Sequence, residues 1–93
     1  MNLNQTITIS EGVISQEISS ETVLLDLESE NYFGLDAVGT RIWQLIRDKG
    51  HLLAVYNTLL DEYEVDEARL RADLEALISQ ASERGLITLR ATP

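Results

Sequence analysis

No cysteine occurs in the chain, so it carries no disulfide framework, no thiolate nucleophile and no cysteine-based zinc site. Histidine is nearly as scarce: His51 stands alone at an expected helix start, with no second ligand or nucleophile in view. The phosphate-cradling patterns G-x-x-x-x-G-K-[ST] and G-x-G-x-x-G are missing. No stretch approaches the roughly 20 apolar residues of a membrane span. The start, MNLNQTITIS, has neither the basic nor the apolar region of a secretory signal.

Positive charge is also in short supply, with 7 basic residues against 16 acidic ones and a net charge of −9. A polyanion repels phosphate backbones, so nucleic-acid binding is not expected. The pairs Asp61/Glu62, Asp66/Glu67 and Asp73/Glu75 are ordinary in so acidic a chain and do not mark a metal or glycosidase site. Ser79 and Ser82 fall late in a helix and lack the Asp-Ser-Leu context of a phosphopantetheine carrier. Together these absences describe a non-enzymatic cytoplasmic protein with no cofactor, no metal and no membrane partner. Its charge can speed encounter with a basic or neutral polypeptide.

What is present suffices for a single domain over residues 1–93, with 44% hydrophobic and 25% charged residues. Residues 1–5 carry no pattern and are expected to fray. Thr6 to Ser10 alternates weakly, as a strand or an extended arm. Gly12 punctuates, Val13–Ile18 reads as a strand, and Ser19-Ser20 turns the chain into a second strand at 22–27. There Val23, Leu25 and Leu27 alternate with Leu24 and Asp26, which predicts one buried face. Polar Glu28-Ser29-Glu30-Asn31 makes a hairpin turn, and Tyr32, Phe33 and Leu35 form a short aromatic strand broken by Gly34.

Three helices follow. Asp36 is a helix N-cap, and Val38, Ile42, Leu45 and Ile46 repeat at helical spacing over about 36–48, with Trp43 beside them. Lys49-Gly50 stops that helix. A second fits 51–63 through Leu52, Val55, Tyr56, Leu59, Leu60 and Tyr63. The third, about 67–84, is capped by Asp66, with Val65 and Leu70 at hydrophobic-staple positions. Its stripe is Leu70, Leu74, Leu77, Ile78 and Ala81. Gly85 ends it, and Leu86–Leu89 adds a last strand or packs on the core. The expected fold is α+β and winged helix-turn-helix-like: a three-stranded antiparallel meander, then three helices. The third helix is no DNA reader, because Arg69, Arg71 and Arg84 are offset by Glu67, Asp73, Glu75 and Glu83.

In such a meander the strand at 31–35 has one neighbour, so its outer backbone groups are unpaired. Neither Lys nor Pro guards Tyr32-Phe33-Gly34-Leu35, and Gly34 permits close backbone approach. An extended peptide can add there as a further strand. A helix, the N-terminal arm or a second copy of the chain can equally cover it.

The ordered set Tyr32, Phe33, Leu35, Asp36, Gly39, Ile42 and Trp43, with the helix running from Val65 to an Arg-Gly-Leu-Ile ending, resembles the PqqD-like family of peptide-recognition domains. The likeness covers roughly residues 12–90. It implies a RiPP recognition element: a non-catalytic winged-helix domain that binds the leader of a ribosomally made precursor peptide. The leader would lie antiparallel along Glu30, Asn31, Tyr32, Phe33, Gly34 and Leu35. Leu70, Leu74 and Leu77 would floor a groove beside it, with Arg69 and Asp73 at the rim; each leucine has a competing role as plain core. Phe33 and Leu35 would join Val23 and Leu25 in the core, while Asp36 and Trp43 serve folding. The pattern looks most like the leader-binding half of a split lasso-peptide protease, whose partners would be a separate cysteine protease chain and an ATP-dependent cyclase. The alternatives are a precursor chaperone of the PQQ pathway, docking on a radical enzyme, and a small winged-helix regulator acting through protein contacts.

Overall fold

The structure, a computed structural model, describes residues 2–92. Strands β1 (Gln5–Ile9), β2 (Val13–Ile18), β3 (Glu21–Asp26) and β4 (Asn31–Leu35) precede helices α1 (Ala37–Lys49), α2 (Leu52–Glu62) and α3 (Glu67–Glu83), and strand β5 (Ile87–Ala91) closes the chain. Strands β2, β3 and β4 form the expected antiparallel meander, with β3 central.

The two outer segments settle together. β1 pairs antiparallel with β5, from Gln5 opposite Ala91 to Ile9 opposite Ile87. The expected frayed start is therefore shorter: Gln5 lies in the ladder, the Thr92 amide donates to the Asn4 carbonyl at 3.1 Å, and Leu3 packs on the core. A two-residue pattern could not show this, because the partner strand lies about eighty residues away in sequence. Met1 lies outside the described residues. The Ile7 amide donates to the Gly50 carbonyl at 2.9 Å, seating this ribbon on the α1–α2 junction.

Each helix starts and stops for a local reason. Asp36 Oδ1 accepts from the Gly39 amide at 2.8 Å, and Asp66 Oδ1 accepts from the Ala68 amide at 3.2 Å, so both acidic caps satisfy first-turn donors. Gly50 takes the left-handed conformation (φ 65°) and its amide closes on the Ile46 carbonyl. Leu70 is buried, but Val65 stays about half exposed, so the expected staple covers little. The core is one cluster built on Ile42, Trp43, Leu45 and Ile46 of α1, Leu52, Val55, Tyr56 and Leu59 of α2, and Leu70, Leu74, Ile78 and Ala81 of α3.

The sheet's buried face is the opposite phase from the one the sequence suggests. Leu24 is 1% exposed and Thr22 2%, whereas Val23 is 39% and Leu27 53% exposed. The register places Leu24 against Phe33 and Thr22 against Leu35, so these four share the inner face. Val23 and Leu25 therefore do not join Phe33 and Leu35. Apolar residues occur on both phases of β3, and alternation alone cannot choose between them. The choice falls to α1, which covers the face bearing Leu24 and is tied to β2 there by Gln44 and Arg47 reaching Glu17.

Candidate functional site

The β3–β4 hairpin forms without an Asn-Gly pair because Asp26 organises the turn. Its carboxylate accepts from the Glu28 amide at 3.1 Å and the Ser29 hydroxyl at 2.9 Å, and its carbonyl accepts from the Glu30 amide at 2.7 Å. Glu30 completes the reversal in the left-handed region (φ 63°), so the paired strand begins at Asn31. β4 returns along β3 from Asn31 opposite Asp26 to Leu35 opposite Thr22. No other strand pairs with its far edge, and among the described residues no hydrogen bond joins that edge to another element.

Beside this edge runs an open groove of about 560 Å³. One wall is Phe33, Gly34 and Leu35 of β4 with Asp36, Val38, Gly39 and Ile42 at the start of α1. The other is a face of α3 made by Arg69, Asp73, Ala76, Leu77 and Gln80. The charges are sparse: one cation, Arg69, and the carboxylates of Asp36 and Asp73, the first of them occupied as a cap. At the turn end, the Arg84 guanidinium lies over the Phe33 ring, 4.9 Å from its centroid.

Of the residues singled out from the sequence, the structure brings Phe33, Gly34, Leu35, Arg69, Asp73 and Leu77 together around this groove. Leu70 and Leu74 do not line it; at 3% and 0% exposure they belong to the core beneath. Helix geometry decides this, since Leu70, Leu74, Ile78 and Ala81 make the buried stripe and Leu77 sits at its margin. Tyr32 is 70% exposed and points to the outer face with Gly34, while Asn31 closes the hairpin end and Glu30 lies in the turn. Sequence reasoning missed Val38, Gly39, Ile42, Ala76 and Gln80. Residues 69, 73, 76 and 80 do repeat at helical spacing next to the apolar stripe, a signal obscured by their mixed chemistry.

Gly34 and Gly39 contribute in different ways. A Cβ at Gly39 would sit 3.3 Å from Asp36 Oδ1 and the Leu35 Cβ, so the cap and the strand end would have to give by a few tenths of an ångström to admit a side chain. A Cβ at Gly34 would meet nothing within 4 Å. No internal packing demands glycine on the edge strand.

An α+β domain with a free strand edge beside a groove of mixed apolar and polar walls is a scaffold for binding an extended chain. The sequence profile described as coenzyme PQQ synthesis protein D (PqqD) matches residues 21–87, and the chain belongs to that family, the PqqD-like RiPP recognition elements. Two solved structures are similar throughout. TbiB1 in complex with the TbiA(beta) leader peptide is 37% identical, with a TM-score of 0.79 over 85% of this chain and 92% of that one. Lasso peptide synthetase B1 complexed with the leader peptide is 25% identical, with a TM-score of 0.78 over 89% and 98%. No curated protein matches the chain.

Proposed function

We propose that this chain, acting as one recognition domain over residues 1–93, binds the leader of a ribosomally synthesised precursor peptide in lasso-peptide biosynthesis. The leader adds as a strand to β4, with alternate side chains entering the groove against α3. The chain supplies binding and no chemistry. It hands the precursor to a separate cysteine protease and an ATP-dependent cyclase in the cytoplasm. Among the described residues no helix is long and apolar enough to cross a membrane, and no His/Asp/Glu cluster could hold a metal ion.

The observation that carries this reading is the unpaired β4 edge lying against the groove, in a fold shared with two proteins solved with a leader peptide. Strand addition suits it physically. Main-chain hydrogen bonds supply affinity without regard to sequence, and the groove selects the alternate side chains that face it. Phe33, Gly34, Leu35, Arg69, Asp73 and Leu77 are assigned to the peptide site, Asn31 and Tyr32 to its pairing strand, and Leu70 and Leu74 to its support. One or two buried apolar anchors, each worth roughly 1.5–3 kcal/mol, would dominate the energy.

A titration of fluorescently labelled leader, read by anisotropy and followed by amide exchange, tests this. Saturable binding with slowed exchange at residues 31–35 is expected. Binding that protects other residues and leaves 31–35 unchanged would overturn the strand-addition site.

A further inference from the structure

At the hairpin end of β4 lies a second, smaller hollow of about 130 Å³, lined by Asp26, Asn31 and Phe33 of the hairpin and by Arg84 and Leu86 past the end of α3. Phe33 is common to this hollow and the groove. The volume equals roughly four waters, so the hollow takes the end of a side chain rather than a further stretch of strand. Arg84 is exposed, yet both of its ends are fixed. Its amide closes on the Gln80 carbonyl at 3.1 Å, and the next two amides, of Gly85 and Leu86, return to Ser82 and Ala81 at 3.1 and 2.9 Å. Leu86 is buried, which holds this turn against the core. At the other end, the guanidinium is held over the Phe33 ring.

What Arg84 lacks is a carboxylate. Arg41 lies 2.6 Å from Glu62 and Arg47 3.7 Å from Glu17, as expected where 16 acidic residues face 7 basic ones. Glu83 precedes Arg84 in the chain and Asp26 lines the same hollow, but among the described residues neither comes within ion-pair distance of it. Asp26 is already engaged, its carboxylate accepting from the Glu28 amide and the Ser29 hydroxyl. A ring face attracts the cation but does not satisfy its five N–H donors as a carboxylate would. A guanidinium fixed in place, with no carboxylate among the described residues, is preorganised for a bidentate carboxylate from outside.

A strand added to β4 runs past this hollow, because Asn31, Tyr32 and Phe33 are at once its wall and the first residues of the edge strand. Elsewhere on the path carboxylates prevail: Asp36 and Asp73 line the groove, with Arg69 as its one cation. An acidic side chain on the peptide is therefore favoured opposite a free cation and disfavoured over most of a chain with net charge −9. We propose that Arg84 is a specificity residue, receiving one acidic side chain of the bound peptide at the hairpin end of β4, so that the precursor recognised carries Asp or Glu at that point. The proposal rests on the strand-addition reading of β4. It is separate from the contact with Phe33: holding the ring serves every leader alike, whereas a bond to Arg84 serves only a leader that carries the acid.

The test is a double-mutant cycle on the full chain, using labelled leader and a set in which each Asp or Glu is changed singly to Asn or Gln. On wild type, one such change should weaken binding 5-fold or more by anisotropy, and the loss should shrink as salt is raised. On Arg84→Gln the same change should cost less than 2-fold. Arg84→Glu should prefer a leader with Lys at that position over the unaltered leader, reversing the wild-type order. Urea unfolding of both variants reports that they fold. Equal losses on wild type and Arg84→Gln at every acidic position would overturn the proposal and leave Arg84 only its contact with Phe33. So would tight binding of a leader that carries no acidic residue. Slowed amide exchange elsewhere than residues 31–35 would mark failure of the β4 reading itself, and is seen on wild type without any Arg84 variant.

Discussion

The guanidinium of Arg84, at the C-terminal cap of α3, lies over the ring of Phe33 on β4, 4.9 Å from its centroid. This contact bridges the two walls of the groove at its hairpin end. An exposed cation–π pair is worth about 0.5–1 kcal/mol. Arg84→Ala should therefore cost no more than about 1 kcal/mol in urea unfolding. Its larger effect should be a several-fold loss of leader affinity, measured by anisotropy, because Phe33 is no longer held against the peptide path.

Leu74 and Leu77 lie on one helix but should fail differently. Leu74 is fully buried, so Leu74→Ala should cost about 2–5 kcal/mol of stability by leaving a cavity. Leu77 lines the groove and is only half-buried. Leu77→Ala should keep most of the stability and lose leader affinity about 10-fold, consistent with an apolar anchor worth 1.5–3 kcal/mol when fully buried. Chemical denaturation and anisotropy on both variants check the split; equal loss of affinity per unit of stability would remove Leu77 from the site.

Thr22 is 2% exposed, and its hydroxyl finds no hydrogen-bond partner among the described residues; Thr40 on α1 shares that condition. A buried hydroxyl without a partner costs roughly 1–3 kcal/mol. Thr22→Val keeps the branched shape suited to β3 and removes the polar atom. Calorimetry should show a raised Tm, corresponding to about 1 kcal/mol. A lowered Tm would mean the hydroxyl is hydrated or bonded in solution.

Arg41 and Glu62 join α1 to the end of α2 through two parallel bonds, Nε to Oε1 at 2.7 Å and Nη2 to Oε2 at 2.6 Å. The hydrogen bond from Arg41 holds the Glu62 carboxyl below its ordinary value of 4.5, and burial opposes that only in part. Because the folded value is the lower one, the stabilisation is present above the unfolded value and lost as pH falls through the folded one. Both side chains are about a third exposed, so the amount is small, about 0.2–1 kcal/mol at neutral pH. Glu62→Gln should lower the Tm at pH 7 and match wild type near pH 2–3.

Much of the fold was legible locally. Acidic caps at Asp36 and Asp66, the Gly50 stop and the α3 stripe rest on interactions within a few residues of sequence, and all appear where the pattern places them. The meander and its β4 edge follow from short connections that leave few other pairings. The groove was harder to see: β4 and α3 are separated by some thirty residues, and nothing local sets the gap between them.

The sequence by itself determined the order of the three central strands and three helices, the absence of cysteine chemistry, the acidic composition and an aromatic strand that no Lys or Pro guards. Those depend on residue type and short-range spacing, and no packing can alter them. Tertiary structure alone decided which phase of β3 is buried, that β1 meets β5, and that Leu77 rather than Leu74 faces the groove. Each is a choice between near-equal local options. Val23 and Leu24 are both apolar, and three leucines share one helix side. What breaks each tie is the position of a distant element: α1 laid across one sheet face, and α3 turned so that its leucine stripe fills the core.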